Sequence, residues 1–97
     1  MYNSREYKAA KRKVLKELLA AGWGFALAEW TRESGEQLRA NSEAYDETDK
    51  HLAAYDYYST DYNVYPMQTH VDLEDIASKH GCFWEPINGA ETGLCLV

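Results

Sequence analysis

The sequence predicts an α+β fold, with about four short, mostly antiparallel strands packed against two or three helices in a single domain over residues 1–97. Three observations support this prediction. Apolar residues recur at helical spacing near the N-terminus, and a second helical pattern begins near residue 71. Two apolar runs, "CFWEPI" and "GLCLV", are joined by "NGAETG", which is typical of a β-hairpin. A hydrophobic content of 45% and an aromatic content of 13% are those of a globular chain.

The N-terminal segment is predicted to form a helix over Ser4–Ala21. Its apolar residues follow spacings of three and four up to Leu18, and lysines occupy much of the opposite face. Asn3 and Glu6 loosely match a capping box, in which each side chain accepts a hydrogen bond from the other residue's backbone N–H. Gly22 follows as the stop, because glycine readily adopts the left-handed conformation that ends many helices.

The patterns of the next two segments are compatible with more than one secondary structure. In "WGFALAEW", over residues 23–30, large and small side chains alternate and predict a strand, although alanine, leucine and glutamate leave a helix as an open alternative. The stretch over residues 34–58 predicts an acidic helix with a thin apolar stripe. The polar run over residues 46–49 could divide that helix into two.

A strand and a short helix are predicted before the hairpin. "NVYPMQTHV", over residues 63–71, is rich in β-branched and aromatic residues, and Pro66 places such a strand at a sheet edge or a bulge. "VDLEDIASKHG" then predicts a helix with Asp72 as its N-cap and Gly81 as its stop.

The sequence also indicates the cellular compartment of the protein. No charged segment followed by an apolar run begins the sequence, and no apolar stretch approaches the roughly 18 residues of a membrane span, so we expect a soluble cytoplasmic protein. Two cysteines, Cys82 and Cys95, are too few for a disulfide framework, and a reducing compartment keeps them as thiols.

Charge is distributed unevenly along the chain. The net charge is −6, yet residues 1–20 carry +4 while residues 29–75 carry −9. Direct nucleic-acid binding is therefore unlikely for most of the surface, and a basic surface on another protein is the better-matched partner. The basic face of the first helix is either a solvated surface or a site for phosphate or an acidic partner.

No specific catalytic, metal or cofactor motif occurs in the sequence, and we expect a protein without enzymatic activity, metal or cofactor. The alternative is a metal- or thiol-dependent enzyme that uses His70, His80 and Cys82, because histidine and cysteine bind zinc and a cysteine nucleophile needs a histidine base. Capping and surface roles explain the same residues without chemistry.

The stretch "AYDYYSTDYNVYP" contains five of the eight tyrosines. Core packing explains a helical tyrosine stripe, but the "ST" interruption favours a turn and would leave rings on a loop. Tyrosine presents a large contact area with few rotatable bonds and is enriched at interfaces. The tyrosines and their acidic neighbours are therefore the predicted partner-binding site. Its residues are Tyr55, Asp56, Tyr57, Tyr58, Asp61, Tyr62, Glu43, Asp46, Glu47 and Asp49.

The leading hypothesis is a small acidic protein-binding module that blocks a basic surface of a nucleic-acid-handling protein or complex. Its size and acidity are similar in kind to those of phage- or mobile-element-type inhibitors, although no motif identifies a family. The carboxylates at positions 43–49 would steer a basic partner towards the tyrosines. A third hypothesis is a structural homodimer or larger homo-oligomer that pairs through an edge strand over residues 63–69.

Overall fold

The computed structural model describes residues 2, 4–23, 36–41, 53–56 and 59–97. Within these residues the fold is α+β, with two helices and one three-stranded antiparallel sheet, slightly fewer elements than the sequence predicts. The elements, in chain order, are α1 (Arg5–Ala20), β1 (Arg39–Asn41), α2 (Val71–Lys79), β2 (Cys82–Pro86) and β3 (Glu91–Leu96).

Helix α1 confirms the first predicted helix, with a different cap. The Oγ atom of Ser4 accepts a hydrogen bond from the backbone N–H of Tyr7 at 3.1 Å, so the N-cap is Ser4 and the prediction of Asn3 is wrong by one residue. At the other end Gly22 has a φ of 90°, and the N–H of Trp23 donates to the carbonyl of Leu18. The predicted glycine stop is therefore confirmed.

The sheet has the order β1-β3-β2, and the predicted C-terminal hairpin supplies its central strand, β3, and one edge strand, β2. Trp84 on β2 pairs with Leu94 on β3, and both side chains are buried in the core against the helices. The indole Nε1–H of Trp84 donates to the carbonyl of Leu73 at 2.9 Å, which ties α2 to β2.

The predicted helix over residues 34–58 is wrong wherever the structure describes it. Arg39–Asn41 forms a strand that pairs with β3, and the N–H of Leu94 donates to the carbonyl of Leu38 at 2.8 Å. Burial of alternate side chains against the core outweighs the helix propensity of this stretch. Residues 42–52 and 57–58, and the strand predicted over residues 23–30 apart from Trp23, lie outside the described residues.

The predicted strand over residues 63–71 is also wrong. Residues 62–64 and 66–67 form turns, and in this stretch only Thr69 takes part in a bridge, with Tyr55. Pro66 lacks an N–H, and Gln68 has a φ of 68°, so neither residue continues a ladder. The edge strand of the homo-oligomer hypothesis is therefore absent from this stretch, although oligomeric state itself stays a prediction.

Helix α2 confirms the predicted helix, again with a shifted cap. The Nδ1 atom of His70 accepts from the N–H of Asp72 at 3.0 Å, so His70 is the N-cap rather than Asp72. Gly81, with a φ of 71°, follows the helix as predicted.

Candidate functional site

Two short paired segments, residues 54–56 and 68–70, hold the tyrosine-rich stretch against the core. The N–H of Asp56 donates to the carbonyl of Gln68, and the N–H of His70 donates to the carbonyl of Ala54, both at 2.8 Å. The antiparallel bridge between Tyr55 and Thr69 lies between these two bonds. The ends of the intervening loop are therefore joined by backbone hydrogen bonds.

Buried tyrosines anchor the same segments. The hydroxyl of Tyr55 donates to the carbonyl of Asn88 at 2.9 Å, and the ring is fully buried. The hydroxyl of Tyr65 donates to the carbonyl of Ala53 at 2.7 Å, and that ring is also buried. Each hydroxyl thus has the partner that a buried phenol requires, and each ring contributes core area.

We call residues 59–68 the tyrosine loop. Its first turn is organised around Asp61, whose Oδ1 accepts from the N–H of Asn63 at 3.2 Å and whose carbonyl accepts from the N–H of Tyr65 at 2.8 Å. The N–H of Asp61 donates to the Oγ of Ser59 at 3.2 Å. The bond to the Asp61 side chain is that of an Asx turn, and the bond to the Ser59 side chain is that of the corresponding serine turn.

The tyrosine loop presents apolar side chains to solvent. Tyr62 is 71% exposed and Met67 is 63% exposed, and the carboxylate of Asp61 is exposed next to Tyr62 in the chain. Burying such side chains is favourable, so a fixed loop that exposes both is a candidate contact surface.

The charge around this loop has one sign in the sequence. Residues 51–78 contain five carboxylates and no lysine or arginine. Asp61 and Asp75 are exposed and Asp56 is half-buried. An anionic neighbourhood of this kind attracts basic groups and repels nucleic-acid phosphates.

The structure divides the predicted site residues into three groups. Tyr55 is buried and serves packing, so its ring has no surface for a partner in this conformation. Asp56 is half-buried, and Asp61 and Tyr62 are exposed together on the tyrosine loop. The remaining six lie outside the described residues: Tyr57, Tyr58, Glu43, Asp46, Glu47 and Asp49.

Met67 belongs to the exposed surface, yet the sequence analysis did not select it. The available signal was its position directly after Pro66, where a turn is favoured over a strand. Methionine is flexible and polarisable, and it adapts to irregular protein surfaces.

The residues of the alternative enzyme hypothesis have structural roles. His70 caps α2, and its ring packs against the rings of Trp23 and Tyr65 with centroids 4.9 and 5.5 Å apart. The Nε2 atom of His80 is hydrogen-bonded to the carboxylate of Glu17. In the described part of the chain, no group of three His, Cys, Asp or Glu side chains is placed to hold a metal ion.

The thiol of Cys82 has the wrong environment for a nucleophile. Burial raises its pKa above the ordinary value, whereas a reactive cysteine needs its pKa lowered by a cation or a helix N-terminus. The Sγ atom donates to the carbonyl of His80 at 3.5 Å. This contact does not involve the His80 ring, so no cysteine–histidine pair forms here.

Comparisons with protein-family models, with curated proteins and with solved structures find no match for this chain. Among the described residues, no helix combines the length and the apolar composition that crossing a membrane requires. Within the described residues the fold is α+β, and the tyrosine loop, whose backbone makes internal hydrogen bonds, exposes Tyr62 and Met67. The functional argument therefore rests on the geometry of that loop.

Proposed function

We propose that this chain is a small acidic protein-binding module without enzymatic activity, which docks on a basic surface of another protein through the tyrosine loop. The observation that carries the proposal is the 71% exposure of Tyr62 on a loop whose backbone is fixed by hydrogen bonds. Blocking a basic surface that handles nucleic acid would make the module an inhibitor, as acidic phage-type inhibitors are.

The energetics of Tyr62 favour a binding role. A tyrosine buries roughly 150–250 Å² in a protein contact, and at roughly 25 cal/mol per Å² the exposed 71% of Tyr62 corresponds to about 3–4 kcal/mol before the costs of association are subtracted. A rigid loop loses little conformational entropy on docking, so less of that free energy is offset. A central tyrosine of this kind is typical of an interface hot spot.

The carboxylates would contribute mainly to the rate of association. Charges at the edge of an interface steer the partner during encounter, and salt screens them over roughly 8–10 Å. Asp61 and Asp56 adjoin the loop, and the four carboxylates at positions 43, 46, 47 and 49 are proposed to extend this steering. Association should therefore slow as salt rises.

The experiment begins with affinity capture from cells of the native source, followed by mass spectrometry and a binding assay with the purified partner. Tyr62→Ala is expected to weaken binding by about 30-fold, which corresponds to about 2 kcal/mol. Phe83→Ala is the matched control, because Phe83 is also an exposed aromatic residue but lies on β2. If Phe83→Ala weakens binding and Tyr62→Ala does not, the tyrosine loop is not the contact surface.

The charge of Asp61 is tested with Asp61→Asn, which keeps the oxygen that accepts from Asn63 and removes the negative charge. We expect a slower association rate at low salt and little change at high salt. Glu85→Gln removes the same charge from an exposed residue of β2, outside residues 51–78, and serves as the control. Equal effects of the two variants would show that the association rate depends on the net charge of the chain and not on the position of Asp61.

A further inference from the structure

The outward face of α1 carries a line of cations. The inward face buries Tyr7, Lys11, Val14 and Leu18, and residues 5, 8, 12 and 16 follow one another at helical spacing on the outer side. We call Arg5, Lys8, Arg12 and Lys16 the cationic row. All four are exposed or half-exposed, and the row extends for about 16 Å at 1.5 Å per residue.

The side chains of the cationic row make no hydrogen bond or ion pair with any residue that the structure describes. Other lysines are engaged: the Nζ of Lys11 donates to the carbonyl of Glu36 at 2.7 Å, and the Nζ of Lys79 lies 3.2 Å from the carboxylate of Glu17. Like charges three and four residues apart destabilise a helix. The row therefore costs stability that an external anion would restore.

The row also has a shape that suits an oxyanion. Arg5, Lys8 and Arg12 surround an open concavity of about 310 Å³, and the small side chain of Ala9 completes its lining. Guanidinium groups bind phosphate oxygens through paired N–H donors, and a lysine adds a point charge. Three cations around one concavity match a phosphate better than they match a single carboxylate.

We propose that the cationic row binds the phosphate backbone of duplex nucleic acid without reading its sequence. A row of four cations is long enough to meet several successive phosphates of one strand, which are spaced by about 3.4 Å along the axis. No aromatic side chain lies on the row, so the stacking that single-strand binders use is missing. The overall acidity disfavours nucleic acid over most of the surface, and this face is the local exception because salt screens distant charges.

The cationic row and the tyrosine loop are different surfaces, so an experiment can refute one proposal without refuting the other. A chain that uses both would hold a basic protein through the loop and touch the nucleic acid through α1. Tyr62→Ala should therefore leave duplex binding unchanged, whereas changes in the cationic row should leave docking of the purified protein partner unchanged.

The test is fluorescence anisotropy with a short labelled duplex, with salt varied from about 50 to about 200 mM. Four phosphate contacts predict a slope of log K against log salt of about −3.6, since each contact contributes about −0.9. Arg12→Gln should change the slope to about −2.7, and the triple variant Arg5→Gln/Lys8→Gln/Arg12→Gln should change it to about −0.9. Lys13→Gln removes the same charge from an exposed residue that lies about 100° round the helix from Arg12, and it should leave the slope unchanged.

Circular dichroism checks that each variant keeps its helix, which exposed glutamines favour. The proposal is overturned if the wild-type chain does not bind the duplex at about 50 mM salt, if the triple variant keeps the wild-type slope, or if Lys13→Gln weakens binding as much as Arg12→Gln. A polyglutamate peptide is the competing probe. If it binds the row as tightly as the duplex does, the occupant is an acidic protein segment and the nucleic-acid assignment is wrong.

Discussion

Tyr7→Phe tests the buried hydrogen bonds that join helix α1 to the sheet. The hydroxyl of Tyr7 donates to the carbonyl of Leu94 on β3 at 2.7 Å and accepts from the N–H of Leu38 at 3.1 Å. One buried oxygen therefore joins α1, the central strand and the residue just before β1. Phenylalanine fills the same space and removes only that oxygen.

The expected loss of stability follows from those two bonds. The donated bond to Leu94 contributes about 1 kcal/mol, and its carbonyl keeps a second donor, the Nε2 of Gln37 at 3.3 Å. The N–H of Leu38 would lose the hydroxyl acceptor inside the core, and an unsatisfied buried donor costs about 1–3 kcal/mol. Together these terms predict a decrease of about 2–4 kcal/mol in the free energy of unfolding, a large share of the roughly 5–15 kcal/mol that domains possess.

Urea denaturation measures the decrease. With a slope of about 2 kcal/mol per molar, a loss of about 3 kcal/mol lowers the midpoint by about 1.5 M. Tyr2→Phe is the matched control, since the ring of Tyr2 lies 5.1 Å from that of Tyr7 but its hydroxyl makes no hydrogen bond to a described residue. A loss below about 1 kcal/mol for Tyr7→Phe at unchanged slope would refute the reasoning, because it would mean that the N–H of Leu38 is satisfied in another way.

The same residue predicts a response to alkali. Burial raises the pKa of Tyr7 far above its ordinary value, so the folded chain holds this proton more tightly than the unfolded chain does. The stability that depends on the neutral phenol is therefore complete below about pH 10 and declines as pH rises further. Tyr7→Phe should be less stable than the wild type at neutral pH but should decline less steeply above about pH 10.

Two further substitutions test other buried groups. Glu74→Gln should raise stability at pH 7, because burial raises the pKa of Glu74 and its buried Oε1 atom has no hydrogen-bond partner among the described residues. The wild type should lose stability as pH rises above about 4.3, and urea midpoints that fall equally in both proteins would contradict this. Trp84→Phe should cost about 2–4 kcal/mol, since it removes the bond to the carbonyl of Leu73 and leaves a cavity. Thermal unfolding checks it, and a decrease of less than about 4 °C would mean that α2 does not depend on this contact.

The elements that the sequence predicts correctly are those with local signals. Helix α1 has an apolar face, a capping residue within one position of the expected one, and a glycine stop. The hairpin of β2 and β3 has two apolar runs around a polar loop. Each of these signals depends on neighbours within a few positions, which is the range that a single sequence displays.

The errors fall where distant residues decide the structure. Arg39–Asn41 becomes a strand because β3, about fifty residues later, offers it an open edge and a core. Tyr55 leaves the predicted helix because Gln68 and His70 hydrogen-bond to the backbone on either side of it, and the carbonyl of Asn88 accepts from its hydroxyl. The caps show smaller errors, because Ser4 lies one residue from the predicted Asn3 and His70 lies two residues from the predicted Asp72. Composition alone does not specify such non-local pairings.

The partner-binding prediction shows the same division between local and distant information. The interruption at Ser59–Thr60 favours a loop over a continuous helix, and residues 59–61 lie outside any helix or strand, followed by a turn at residues 62–64. The exposure of Tyr62 is one of the two outcomes that the sequence leaves open. Which tyrosines face inward does not follow from the sequence, because Tyr55 and Tyr65 are buried by hydrogen bonds to carbonyls that distant segments position. Tyr55 precedes the tyrosine loop and Tyr65 lies within it, so their two hydrogen bonds attach the chain to the core on either side of Tyr62. Packing and exposure are therefore complementary in this tyrosine-rich stretch: the buried rings attach the backbone to the core, and the exposed ring of Tyr62 lies between them in the chain, where the proposed partner would meet it.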